Sequence, residues 1–181
     1  MVETISQESI IKGLSSLDAH ITQLLEEADK LFSLKMYRAC FLTLYTAFEE
    51  TGKGLFLLEN TGTSITEKKW KEITRHRGAH LSKLLQSEKA SSKSLSEDMF
   101  KFSNEKMPDD LIILPDADYT DNLTKERSSI LYLDFDFQTD TWKSQPSDGE
   151  MGANCVFMST HLISAHQAFK EGLKKSGIEK V

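Results

Sequence analysis

Proline is missing from the first 107 residues; the chain's three prolines are Pro108, Pro115 and Pro146. Without a proline ring and its missing N–H, nothing in that long stretch forces a helix to break. Cysteine is scarcer still, with only Cys40 and Cys155, each inside an apolar helical pattern. Two such thiols make no disulfide framework and fit a reduced, cytoplasmic setting. Neither has a neighbouring base in the sequence, which argues against a nucleophilic role. No stretch approaches the roughly 18 uninterrupted apolar residues of a membrane span. The opening MVETISQES lacks the basic and apolar segments of a signal peptide. Positive charge is in deficit, with a net charge of −6. That excludes general coating of DNA or RNA and leaves only local contact through a basic cluster. There is no phosphate-binding glycine loop, no Gly-x-Ser-x-Gly elbow and no CxxC pair, so the common nucleotide, hydrolase and zinc-ribbon signatures are absent. No cofactor and no metal is expected.

What is present is helical periodicity. Ile10, Leu14, Leu17, Ile21, Leu24, Ala28 and Leu31 step by alternating fours and threes, with Ile11, Leu25 and Phe32 widening the stripe. Such a stripe is the core face of a bundle helix. Thr4 with Gln7 reads as the capping box that starts it. After a short join at residues 33–35, Lys35 to Asn60 is apolar on many sides, which suits a central helix. Ser64 with Glu67 caps a third helix, expected from about Ile65 to Lys89. Ala90 to Ser94 reads as a polar break, and Ser94 with Glu97 caps a shorter helix. Met107 to Asp121 holds two prolines and five aspartates and reads as an irregular acidic loop. A short helix is expected over Thr124 to Ile130. Alternation over Leu131 to Phe137 predicts an extended segment or a small hairpin with Thr139 to Trp142. Ser147 with Glu150 caps a last helix reaching about Lys175. The expectation is one all-α domain over residues 1–181, a four- to five-helix bundle with an extended segment near residues 131–142.

Charge intrudes on the central helix at Glu49, Glu50 and Lys53. Glu49 and Lys53 are spaced i,i+4, worth only tenths of a kcal/mol. Charges beside a core therefore need exposure or partners from another helix. Gly52 and Gly54 flank Lys53, and glycine within a helix suggests close packing of another backbone.

The most basic stretch is WKEITRHRGAHLSKL, Trp70 to Leu84, and it supports three chemistries. His76 and His80 have the i,i+4 spacing that grips a metal, but Arg77 stands where a zinc protease carries glutamate and would repel the ion. Arg75 and His80 combine a phosphate-holding guanidinium with a histidine able to move a proton. Those are the needs of metal-independent RNA cleavage, in which the ribose 2′-OH is the nucleophile. Residues five apart lie about 140° apart around a helix, so convergence calls for the long arginine arm, a distortion at Gly78 or a second subunit. Arg77 and His80 share a face more naturally. In the third reading Arg75, Arg77 and Lys83 form a solvated face and His80 pairs with Glu49 or Glu50 across the bundle. His20, His161 and His166 stand apart and read as structural.

On these residues the chain resembles the AbiV family of bacterial abortive-infection proteins and the wider HEPN helical superfamily. The resemblance rests on Tyr37-Arg38-Ala39 leading to Ala47-Phe48-Glu49-Glu50-Thr51-Gly52-Lys53. It continues in His80-Leu81-Ser82-Lys83-Leu84 and in Arg127-x4-Tyr132-x-Asp134, followed by Trp142 and Pro146. It implies a compact HEPN-like helical unit that dimerises and arrests the phage-infected cell, with RNA or the translation machinery as target. HEPN ribonucleases use an Arg-x(4–6)-His motif at a dimer interface, which Arg75 and His80 match. Under that reading Arg75 holds phosphate, His80 is general acid/base and His76 supports it. Expected partners are a second copy, an RNA or ribosome-associated target and a phage-encoded activating protein. The alternative is a non-enzymatic helical protein that recognises a phage or ribosomal component. There Arg38, Glu49, Glu50, Lys53 and Lys83 build a structural network.

Overall fold

A serine, not the expected threonine, starts the first helix. Ser6 accepts a hydrogen bond from the Ser9 amide at 3.2 Å, satisfying one of the open N–H groups of the first turn. The computed structural model describes residues 4–74, 79–102, 117–131, 135–136, 141–142 and 145–178. Thr4 and Gln7 do not form a capping box. Thr4–Ile5 is a two-residue strand, β1, paired antiparallel with β2, Ile65–Thr66. Gln7 reaches away from the helix end to the turn that leads into β2, accepting from the Gly62 amide at 3.0 Å and donating to the Thr63 carbonyl.

Helix α1 spans Gln7–Ser33. Ile10, Leu14, Ile21, Leu24 and Ala28 are buried, as the stripe predicts, while Leu17 and Leu31 are half-buried. It ends at Lys35 with φ 58°, where Lys35 N–H donates to Phe32 O and Met36 N–H to Leu31 O, each at 2.9 Å. This pair of bonds closes the helix in the manner usually given to glycine. Helix α2, Tyr37–Glu59, packs against every other long helix, namely α1, α4 (Ala79–Phe102), α5 (Ala117–Leu131) and α6 (Asp148–Lys175). It is the central element that its all-round apolar composition predicts. Phe41, Leu44, Tyr45, Ala47 and Phe48 meet Met151, Cys155, Met158, Leu162 and Ala165 of α6 in one core cluster. Ile10, Leu14, Ile21, Phe56, Leu57 and Phe169 form the second, at the other end of α2.

Three expectations need correction. The third helix does not begin at Ile65, because Ile65 and Thr66 are taken by β2. Helix α3 is Glu67–Thr74, with Thr66 Oγ1 accepting from Lys69 N–H at 3.3 Å. No break falls at Ala90 to Ser94, and Ser94 with Glu97 caps nothing, since α4 runs on through them. Polar residues in and just before that stretch are packed: Ser87, Glu88 and Ser91 are buried. Ser87 Oγ donates to the Phe48 carbonyl at 2.5 Å and Ser91 Oγ meets His161 Nδ1 at 3.2 Å. A polar face with partners inside a bundle continues a helix rather than ending it. Finally, α5 begins at Ala117, so the acidic stretch is helical from there; its residues 107–116 lie outside the described residues. Six helices are present among the described residues.

The small hairpin is as expected, with β3 (Phe135–Asp136) antiparallel to β4 (Thr141–Trp142). So is the Ser147–Glu150 capping box of α6. Among the described residues no helix is long and apolar enough to cross a membrane.

His166 of α6 is buried and bonds through Nε2 to Asp18 Oδ1 of α1 at 2.8 Å. Burial pushes its pKa down, against the raising pull of Asp18. The unfolded chain therefore binds that proton more readily than the folded one. The stability involved is present above the ordinary histidine range and is lost as pH falls through it toward the lower folded value. Between about pH 7.5 and about pH 5.5 the wild type is expected to lose more thermal stability than His166→Gln, read by melting curves at both pH values.

Candidate functional site

Glu49 lies in the middle of α2 on the face turned to α4, and α4 answers it with a histidine and a lysine. His80 Nδ1 is bound to Glu49 Oε1, and Lys83 Nζ stands 3.7 Å from Glu49 Oε2. His80 and Lys83 are i,i+3, so they share one face of α4. The carboxylate and the ammonium are buried, with side chains 10% and 7% exposed, whereas the imidazole is 53% exposed. The cluster thus has a dry base and a wet tip.

Gly52 makes this meeting possible. It sits one turn after Glu49, and a Cβ there would lie 2.6 Å from the Lys83 carbonyl carbon and 2.9 Å from its Cα. The two backbones touch where the charges pair. Gly54 answers a different neighbour, the Phe169 ring, at 2.8 Å.

Lys53 does not pair with Glu49. It turns to Glu50, at 2.6 and 2.7 Å from the two carboxylate oxygens, leaving Glu49 to α4. Tyr45, one turn before Glu49, is buried and lies under Arg127 of α5, whose guanidinium carbon is 5.2 Å from the ring centroid. Burial, reinforced by the Glu49 charge, raises the Tyr45 hydroxyl above its ordinary pKa. Arg38 is apart from this group. It binds Asp148 Oδ1 at 3.3 Å and the Pro146 carbonyl at 2.9 Å, about 16 Å along α2 from Glu49. There it ties the start of α2 to the start of α6. Arg75 and His76 lie outside the described residues. Among the described residues no three His, Cys, Asp or Glu side chains converge to hold a metal.

Chemically, a carboxylate accepts, so Nδ1 of His80 carries the hydrogen it shares with Glu49. Nε2 is then the ring nitrogen left to take or give a proton on the half-exposed side. A carboxylate that fixes the tautomer and orientation of a histidine is the arrangement used in general acid–base catalysis. Lys83 balances the buried carboxylate. Removing it leaves Glu49 largely buried with His80 as partner, so Lys83→Ala is expected to cost on the order of 3 kcal/mol. Urea midpoints for the single and Glu49→Ala/Lys83→Ala double variants check this, the double costing less than the sum. Sequence reasoning passed over the packing of Arg127 on Tyr45 and the buried serines of α4. The recurrence of Lys83, Ser87 and Ser91 at i,i+4 was the available signal for the latter.

A helical bundle threaded by a central helix, with a glutamate held between histidine and lysine of the facing helix, makes this an all-α bundle protein, consistent with a HEPN-like fold. The HEPN_AbiV family model, described as AbiV, matches residues 9–157, and the chain belongs to the AbiV family. That membership assigns it to abortive-infection defence. Neither curated proteins nor solved structures returned a match.

Proposed function

We propose that this protein arrests the phage-infected cell by metal-independent cleavage of RNA, with His80 as the proton-transferring group. The observation carrying this reading is the Glu49–His80 pair, a buried carboxylate on a half-exposed imidazole. In the cleavage step His80 Nε2 takes the proton of a ribose 2′-OH, or returns one to the leaving 5′-oxygen. Arg75 would hold the phosphate, with His76 beside it. Both precede His80 in the same basic stretch, and the match to an Arg-x4-His spacing supports the assignment. A homodimer fits the same reading, since a second copy can bring its own Arg75 to this His80, with a phage-encoded protein as activator. The proposed target is RNA or the translation machinery.

The test is RNA extracted from infected cells expressing wild type or His80→Ala. Fragmented RNA with the first and intact RNA with the second supports the proposal. Intact RNA in cells that wild type still protects refutes cleavage and moves the account to a non-enzymatic protein that binds a phage or ribosomal component.

A further inference from the structure

The two cysteines lie far apart in sequence and meet in space. Cys40 of α2 and Cys155 of α6 both line a cavity of about 500 Å³ between α1, α2 and α6, walled by Leu25, Phe32, Leu44 and Ile163. Both are free thiols. The Cys155 thiol donates to the Tyr37 carbonyl at 3.3 Å, one turn before Cys40 on α2. The neighbouring Cys155 side chain lowers the Cys40 pKa, against the opposing effects of burial and of Asp29. The cavity reaches solvent between α1 and α6, where Val156 and Ile163 are about half exposed. The two cysteines are themselves buried, at 2% and 1% exposure, so the cavity they both line is the route by which a small molecule reaches them.

We propose that Cys40 and Cys155 form a reversible disulfide when hydrogen peroxide enters this cavity. The Cys40 thiolate attacks one peroxide oxygen; an S–O bond forms, the O–O bond breaks and hydroxide leaves, taking up a proton to become water. The Cys155 sulfur then attacks the sulfenic sulfur. An S–S bond forms, the S–O bond breaks and a second water departs. Two thiols supply two electrons, and the peroxide receives them. The product ties α2 to α6, and a closure between residues so distant in the chain restricts the unfolded ensemble strongly.

The experiment treats the folded full-length protein with hydrogen peroxide, then denatures it in iodoacetamide and measures intact mass. The expected result is a loss of about 2 Da with no alkylation, reversed by dithiothreitol. Peptide mapping should give a Cys40–Cys155 link, and the melting temperature should rise by roughly 5 °C. In Cys155→Ser the reaction should stop at a Cys40 sulfenic acid, trapped by dimedone. Two alkylated thiols after treatment overturn the proposal. So do gains of about 16 or 32 Da without a link, or a link between two molecules. The wild-type result decides the matter even if the serine variant does not fold.

Discussion

Gly52→Ala is expected to lower the melting temperature by roughly 10 °C, although alanine is the better helix former by about 1 kcal/mol. The added methyl would occupy the space where the Lys83 peptide of α4 lies, with its carbonyl carbon at 2.6 Å and Cα at 2.9 Å. Backbone cannot rotate aside as a side chain does, so α2 and α4 must separate, at a cost of about 3 kcal/mol, the upper end of the usual range for overpacking. Separation at this point also draws His80 and Lys83 away from Glu49, so defence should weaken along with stability. Two other glycines calibrate the effect. At Gly54 the obstacle is the Phe169 ring at 2.8 Å, a side chain able to shift, and the loss should be smaller. At Gly149, in the first turn of α6, nothing lies within 4 Å, and Gly149→Ala should be neutral or stabilise by up to about 1 kcal/mol. Thermal melts of the three variants check the order.

The same glycines show how much could be read in advance. Gly52 beside Lys53 announced a close neighbour because a glycine inside a helix is costly without one. The central helix was legible because apolar residues ring it, and α6 because Ser147 and Glu150 form a complete capping box. What escaped were features set by partners distant in sequence. Ala90 to Ser94 looks like a helix break to any local rule, yet its helix continues past Ser87 and Ser91, which find Phe48 and His161 inside the bundle. Thr4 and Gln7 satisfy the local pattern of a cap, but β2 and its turn claim them first. The charge on α2 was rightly suspected of needing a partner from another helix. The pairing of His80 with Glu49 or Glu50 was among the sequence readings, and the packing of α4 selects Glu49. Lys83, read there as part of a solvated face, is instead buried beside the same carboxylate, where spacing alone had suggested Lys53.

His80→Asn is expected to abolish protection while leaving the protein folded. The asparagine amide nitrogen sits near the position of Nδ1, so it can still donate to Glu49 and hold α4 against α2. It has no second nitrogen that exchanges a proton. A role confined to pinning Glu49 would survive the change; a role in proton transfer would lose ~10²–10⁴ in rate. Glu49→Gln acts on the other half of the pair. It retains an oxygen to accept from His80 and removes the charge that favours the imidazolium formed during transfer. It should reduce protection less than His80→Asn, while weakening the contact with Lys83. Arg75→Ala completes the set: under the role proposed for it in holding phosphate, its loss should impair cleavage in a protein that still folds.

The most direct test is phage plating on cells expressing wild type or His80→Asn, matched for soluble protein and melting temperature. The account predicts that wild type suppresses plaques and that His80→Asn restores them to the level of cells lacking the protein. Equal suppression by the two would contradict it, because proton transfer at His80 would then have no part in the arrest.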